Sequence, residues 1–234
     1  MRATVRDHPS PNHGPRPPGA AIRFVVLHYT GMASGAAALA RLRDPASGVS
    51  AHYLVDEGGD ILRLVPETRR AWHAGRGAWR DCHDLNDHGI GIELVHPGHD
   101  FGYRPFPDAQ IDALCRLLEG LLARHRLPPE AVIAHGDLAP HRKRDPGEFF
   151  PWTTLARRGL AFHPRDPGRP LPPDPLAARA LLLRIGYRPD LPEIGLVPAL
   201  RAFQRRFRPE RVDGILDAAT MGRLAAVAAA APPW

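Results

Sequence analysis

Val132-Ile133-Ala134-His135-Gly136-Asp137-Leu138-Ala139-Pro140-His141-Arg142-Lys143-Arg144-Asp145-Pro146 is a short β-branched run that ends in a histidine, followed by a basic, proline-bounded loop that runs to an aspartate. A strand of this kind delivers an imidazole to a loop that can fold a carboxylate back towards it. Imidazole and carboxylate are good ligands for a divalent metal such as zinc, and a catalytic zinc takes three protein ligands plus water. Two ligands are not a site. The third candidate is His28, which lies near the end of Arg23-Phe24-Val25-Val26-Leu27-His28-Tyr29, a continuous apolar run expected of a central buried strand.

The remaining patterns place these two strands in an α/β layer structure with a mixed sheet. Residues 1–20 read as irregular. Ala36 to Arg43 has helical composition and stops at Asp44-Pro45. Ala51 to Asp56 and Ile61 to Val65 read as a hairpin about Gly58-Gly59. Residues 66–88 carry loop chemistry, Ile90 to Val95 is another strand, and the strand at 132–135 closes the unit. Pro107 to His125 is an amphipathic helix with Ile111, Leu114, Leu118 and Leu121/Leu122 on one stripe. Phe149-Phe150-Pro151-Trp152 opens a last helical segment.

Prolines cluster at 9–18 and 164–175, marking an extended arm and a linker. Beyond the second cluster, 176–185, 197–207 and 217–227 form three short amphipathic segments, with Asp217 or Thr220 as a cap for the last. The expected organisation is an arm (1–20), an α/β domain with a mixed central β-sheet flanked by helices (21–163), a linker (164–175) and a small three-helix domain (176–234).

With 234 residues, 44% hydrophobic and 24% charged, the chain has the composition of a globular protein, and it contains no apolar run long enough to span a bilayer. Its net charge of +6 comes without a nucleic-acid motif, so nucleic acid is not an expected partner and a polyanionic polymer fits as well. Cys82 and Cys115 form neither a CxxC pair nor a disulfide framework and read as free thiols. The first residues lack an apolar signal region, which makes the cytoplasm the expected location and the periplasm or cell envelope the alternative.

His28, Glu93 and His135 are polar groups at or near the ends of Val/Ile/Leu runs. A lone histidine at a strand end is more often structural than a ligand. The carboxylate in Ile90-Gly91-Ile92-Glu93-Leu94-Val95 is harder to dismiss, because unpaired burial costs several kcal/mol or raises its pKa. A raised pKa suits a general base or acid near neutrality.

Six ordered segments carry a resemblance. They are Ser10-Pro11-Asn12 with Arg16-Pro17, Val25 to Thr30, Ser50 to Val55, Ala71-Trp72-His73-Ala74-Gly75, Ile90 to Leu94, and Ala134-His135 through Lys143-Arg144-Asp145-Pro146 to Phe150-Pro151-Trp152. Over roughly residues 10–160 the chain resembles the zinc-dependent N-acetylmuramoyl-L-alanine amidases of the amidase-2 family, in its AmpD/AmiD-like branch. The resemblance implies one zinc ion per chain on His28, His135 and Asp145, with Glu93 as general base and Lys143 stabilising the oxyanion. It implies peptidoglycan or anhydro-muropeptides as substrates, cleaved between the lactyl group of N-acetylmuramic acid and L-alanine. Trp72 and His73 fall in the loop along the family's substrate groove, with Trp79 and Asn86 near it; Trp72 reads equally well as packing. Arg142 is a candidate partner for stem-peptide carboxylates. His83, His88, His96, His99 and His141 read as surface or loop residues, and one of His52 and Tyr53, adjacent on a strand, reads as core.

Leu200 to Phe207 and Val212 to Thr220 resemble the three-helix peptidoglycan-binding domain type 1, although Phe203 and Phe207 are equally the core of any small helical unit. A non-catalytic peptidoglycan-recognition protein is the competing reading, and the full set of five catalytic-type residues argues against it. Oligomeric state is not legible.

Overall fold

β3 (Phe24–Tyr29) lies inside the sheet, paired on both sides, and its apolar residues are fully buried. The computed structural model, which describes residues 5–233, builds a six-stranded mixed sheet around it. In chain order the other strands are β1 (Val5–Asp7), β2 (His13–Pro15), β4 (Tyr53–Val55), β5 (Ile61–Arg63), β6 (Arg69–Ala71), β7 (Gly89–Leu94) and β8 (Val132–Ala134). The sheet order is β1-β5-β4-β7-β3-β8, and β2 and β6 form a separate antiparallel ribbon. Only the β4–β5 hairpin is antiparallel within the large sheet.

The helices are α1 (Gly35–Arg43), α2 (Leu85–His88), α3 (Asp108–His125), α4 (His135–Leu138), α5 (Trp152–Arg157), α6 (Pro175–Ile185), α7 (Leu196–Phe207) and α8 (Ala218–Ala230). Side chains alternate between the faces of a strand, and β3 divides accordingly. Val25 and Leu27 pack with Ile111, Leu114, Leu118 and Leu121 of α3. Phe24 and Val26 share a second core with Ile133, Leu138 and residues of α6 to α8, among them Leu182, Phe203 and Leu224. The central sheet thus lies between α3 and the C-terminal helices. Each fully buried Leu or Ile stabilises this arrangement by ~1.5–3 kcal/mol. His28 continues the Phe24–Val26 face at the C-terminal end of β3.

The structure departs from the sequence expectations in several places. Of the stretch expected to be irregular, the described residues 5–20 hold two strands: β1 extends the large sheet through β5, and β2 pairs with β6. Residues 66–88 hold β6 and α2 rather than loop alone. These strands are three residues long, too short for alternation to show. His135 begins α4 instead of ending β8. Both His52 and Tyr53 are buried: the His52 Nδ1 accepts from Gly91 N–H (2.9 Å) and its Nε2–H donates to Arg69 O (3.1 Å). His96, expected at the surface, is also fully buried, stacked on Phe106 at 4.3 Å. Asp217, not Thr220, caps α8, accepting from Thr220 N–H at 2.8 Å.

The 164–174 segment has no regular structure but is tied to α8: Leu171 N–H donates to Ala218 O (3.0 Å), and the Arg223 guanidinium donates to Pro164 O (2.7 Å) and Asp166 O. Among the described residues no helix is long and apolar enough to cross a membrane.

Candidate active site

Register brings the three polar strand ends together. In the β3–β7 pair His28 lies opposite Glu93, and in the β3–β8 pair Leu27 lies opposite Ala134, so the next residues are His28 and His135. Gly136 N–H donates to Asp145 O at 2.8 Å, which folds the basic loop back onto α4 and returns the Asp145 carboxylate to the histidines.

His28 Nδ1, His135 Nδ1 and Asp145 Oδ2 then lie 2.9–3.2 Å from one another, all three residues buried. The outer nitrogens of the two rings are already engaged. His135 Nε2–H donates to Ala74 O (2.9 Å), and His28 Nε2–H donates to His73 Nδ1 (3.1 Å). In that tautomer each Nδ1 presents a lone pair. Two lone pairs at 2.9 Å facing a carboxylate oxygen repel unless a cation lies among them. Two imidazoles, one carboxylate and an open fourth position form a donor set that fits a catalytic zinc, and the ring partners are the outer supports such ligands use.

Electrostatics favour ligation near neutral pH. Burial, reinforced by His135, lowers the His28 imidazole to about 4, so it stays neutral. Burial acts to raise the Asp145 carboxyl, but His135 and His28 outweigh it and hold the group well below the carboxylate range. Glu93 behaves in the opposite way. Burial and the neighbouring Asp145 push its carboxyl up to about 8 against the pull of Lys143, and its Oε2 is buried without a hydrogen-bond partner. A carboxyl poised in that range can take up and release a proton.

Glu93, His135, Asp145 and Lys143 line a cleft of about 350 Å³, together with Trp72, His73 and Arg142. Tyr29, Met32, Arg41, Asp100 and Arg144 also line it; the sequence reading missed them because nothing in their local pattern separates them from ordinary loop residues. Several of the expected groove residues also make contacts behind the cleft wall. His73 is buried behind His28 as the acceptor of its Nε2–H, and Gly91 leaves it room: a Cβ there would come within 2.4 Å of the His73 ring. Asn86 is buried beneath the loop, where its Oδ1 accepts from His73 N–H (3.0 Å) and Ala74 N–H (2.8 Å). Trp79 is core, edge-on to Tyr187 at 4.9 Å. Arg142 donates to Ala74 O (2.6 Å) and Arg76 O (2.9 Å from Nε), which commits much of its guanidinium to the 74–76 backbone.

Residues 18–148 match the family model described as N-acetylmuramoyl-L-alanine amidase. The chain is 39% identical over 224 residues to the N-acetylmuramoyl-L-alanine amidase AmiD of Escherichia coli, covering 85% of this chain and 79% of AmiD. The solved complex of AmiD with anhydro-N-acetylmuramic acid-L-Ala-D-γ-Glu-L-Lys superposes with a TM-score of 0.78 at 38% identity, over 91% of each chain. AmpDh3 of Pseudomonas aeruginosa gives a TM-score of 0.80 at 36% identity, covering 93% of this chain and 95% of its own. With more than half its length matched by that model, the chain belongs to the amidase-2 family of N-acetylmuramoyl-L-alanine amidases.

Proposed function

We propose that this protein is a zinc-dependent N-acetylmuramoyl-L-alanine amidase that hydrolyses the amide between the lactyl group of N-acetylmuramic, or 1,6-anhydro-muramic, acid and the L-alanine of the stem peptide. The observation that carries the reading is the meeting of His28 Nδ1, His135 Nδ1 and Asp145 Oδ2 at a cleft that also holds the raised carboxyl of Glu93. The anhydromuropeptide named as substrate in the AmiD complex supports the substrate class.

A zinc ion held by His28, His135 and Asp145 supplies a Lewis acid for the scissile carbonyl and lowers the pKa of water, to ~7 in favourable sites. Glu93 takes the proton from the attacking water and delivers it to the leaving amine of L-alanine, while the water oxygen ends in the new lactyl carboxylate. Lys143, on the cleft wall two residues before Asp145, offers its ammonium to the oxygen on which negative charge develops, a contribution of ~3 kcal/mol. Trp72 offers an aromatic face to the substrate from the cleft wall. His73, Asn86 and Arg142 act one step back: His73 fixes the His28 tautomer, Asn86 fixes the loop, and Arg142 braces Ala74 O, the acceptor of His135 Nε2–H.

The C-terminal helices are read as a peptidoglycan-binding unit of type 1, which would raise the local substrate concentration on polymer. Soluble anhydro-muropeptide as the better substrate goes with a cytoplasmic recycling role, and intact wall with a role in the envelope. Mass spectrometry of products from each, in parallel, tests both the bond and the preference. Free stem peptides beginning at L-alanine are expected. Binding to both substrates with neither cleaved, at full zinc occupancy, would leave a recognition protein instead.

A further inference from the structure

α4 is a single turn, yet three parts of the molecule meet on it. Its first residue, His135, is in the metal-ligand group, and its second, Gly136, donates its N–H to Asp145 O (2.8 Å) and has so little clearance that a Cβ would lie 3.2 Å from that oxygen. Its third, Asp137, has a carboxylate that is 2% exposed, and two of the three groups it accepts from belong to the C-terminal region, one on α7 and one just after α6. Oδ1 accepts from Tyr187 O–H at 2.7 Å. Oδ2 accepts from Arg206 Nη1 at 2.6 Å and from Ala134 N–H at 3.0 Å.

Arg206 is held in turn. Its Nη2 donates to Val132 O (3.2 Å) and Phe162 O (3.0 Å), and its guanidinium lies 3.9 Å over the Trp152 ring. One arginine of α7 therefore bonds both β8, before His135, and α4, after it.

We propose that the C-terminal helices hold the metal site in shape, with Arg206 and Tyr187 acting through Asp137 to fix the turn that carries His135 and docks Asp145. All three are positioning residues. The proposal rests on the zinc-site reading given above. A buried carboxylate keeps its geometry only while its partners are present, and outer groups that fix metal ligands are typically worth ~10–100-fold in metal affinity. Linking the two regions through a buried ion pair makes ligand geometry depend on docking of the C-terminal helices, a role beyond tethering to polymer.

The test uses the full chain. Zinc affinity is measured by competition with a chromophoric chelator, alongside melting temperature and steady-state kinetics on anhydro-muropeptide at saturating zinc. Arg206→Met and Asp137→Asn are each expected to weaken zinc binding by ~10–100-fold and to lower kcat with little change in KM. Their double variant is expected to fall short of the product of the two effects. Tyr187→Phe, which keeps the ring, is expected to shift affinity in the same direction by less, and it carries the test if Arg206→Met does not fold. The control is Arg184→Met, which cuts hydrogen bonds from α6 to Ala228 O and Ala231 O at the end of α8, away from α4. It should lower the melting temperature and leave zinc affinity unchanged.

Folded Arg206 and Asp137 variants with wild-type zinc affinity would overturn the proposal. So would an equal loss of affinity in Arg184→Met. Wild-type protein that takes up no zinc would overturn the functional reading and this proposal with it, whereas unaltered affinity in the variants overturns this proposal alone.

Discussion

At the scale of residues, the proposed chemistry rests on a His28 imidazole that burial lowers to about 4, an Asp145 carboxyl held low by the two histidines, and a Glu93 carboxyl that burial pushes up to about 8. Glu93→Gln removes the proposed proton carrier and should lower kcat by ~10²–10⁴ while zinc stays bound, as metal analysis of the purified variant would show. Lys143→Ala should lower kcat by ~10²–10³ with KM nearly unchanged. The pH dependence of stability follows from the direction of each shift. The Glu93 carboxyl is raised from its ordinary 4.5 to about 8, so its contribution is complete below 4.5 and is lost as pH rises through about 8. His28 is lowered from 6.5 to about 4, so its contribution is present above 6.5 and is lost as pH falls through about 4. Melting curves of metal-free protein should therefore decline in both directions. The alkaline limb should flatten in Glu93→Gln; an unchanged alkaline limb would show that Glu93 does not titrate there. His28, Glu93 and His135 were visible in sequence because polar groups at or near the ends of apolar runs need a reason, and Asp145 because the basic loop after His135 leads to it. Asn86 and Arg142 also bond backbone, Asn86 beneath the loop and Arg142 at the cleft wall, and nothing local in the sequence distinguishes a side chain that bonds backbone from one that meets a ligand.

At the scale of elements, the 72–75 loop and the β7 strand support the ligands from behind. Gly91→Ala places a methyl group within 2.4 Å of the His73 ring, which must move and lose its bond to His28 Nε2. Zinc affinity should fall by ~10-fold or more, measured by chelator competition. Asn86→Ala leaves two buried N–H groups unpaired, at ~1–3 kcal/mol each. That corresponds to several degrees of melting temperature, at ~2–4 °C per kcal/mol for a chain of this size. A melting temperature within a degree of wild type would mean that water replaces the amide. Long elements such as α3 and β3 were visible as periodic or continuous apolar runs. β1, β2 and β6 were not, because strands of three residues are specified by pairing partners and not by their own pattern.

At the scale of the whole molecule, the C-terminal helices share one core with the sheet face that carries His28. Truncation after residue 163 would uncover Phe24, Val26, Ile133 and Leu138 and strip Asp137 of Tyr187 and Arg206. The truncated chain should aggregate or lose its cooperative thermal transition, read by calorimetry. The sequence reading placed three helices after the prolines but could not show that they press on the sheet, because docking is written in no local pattern. The most direct test of the central claim follows zinc content and peptide release in one sample. Wild-type protein is stripped by chelator, titrated with zinc and assayed on an anhydro-muropeptide at each addition. The account predicts no release from stripped protein and a linear recovery that saturates at one zinc per chain. Release that survives complete stripping, or none at one bound zinc, would contradict it.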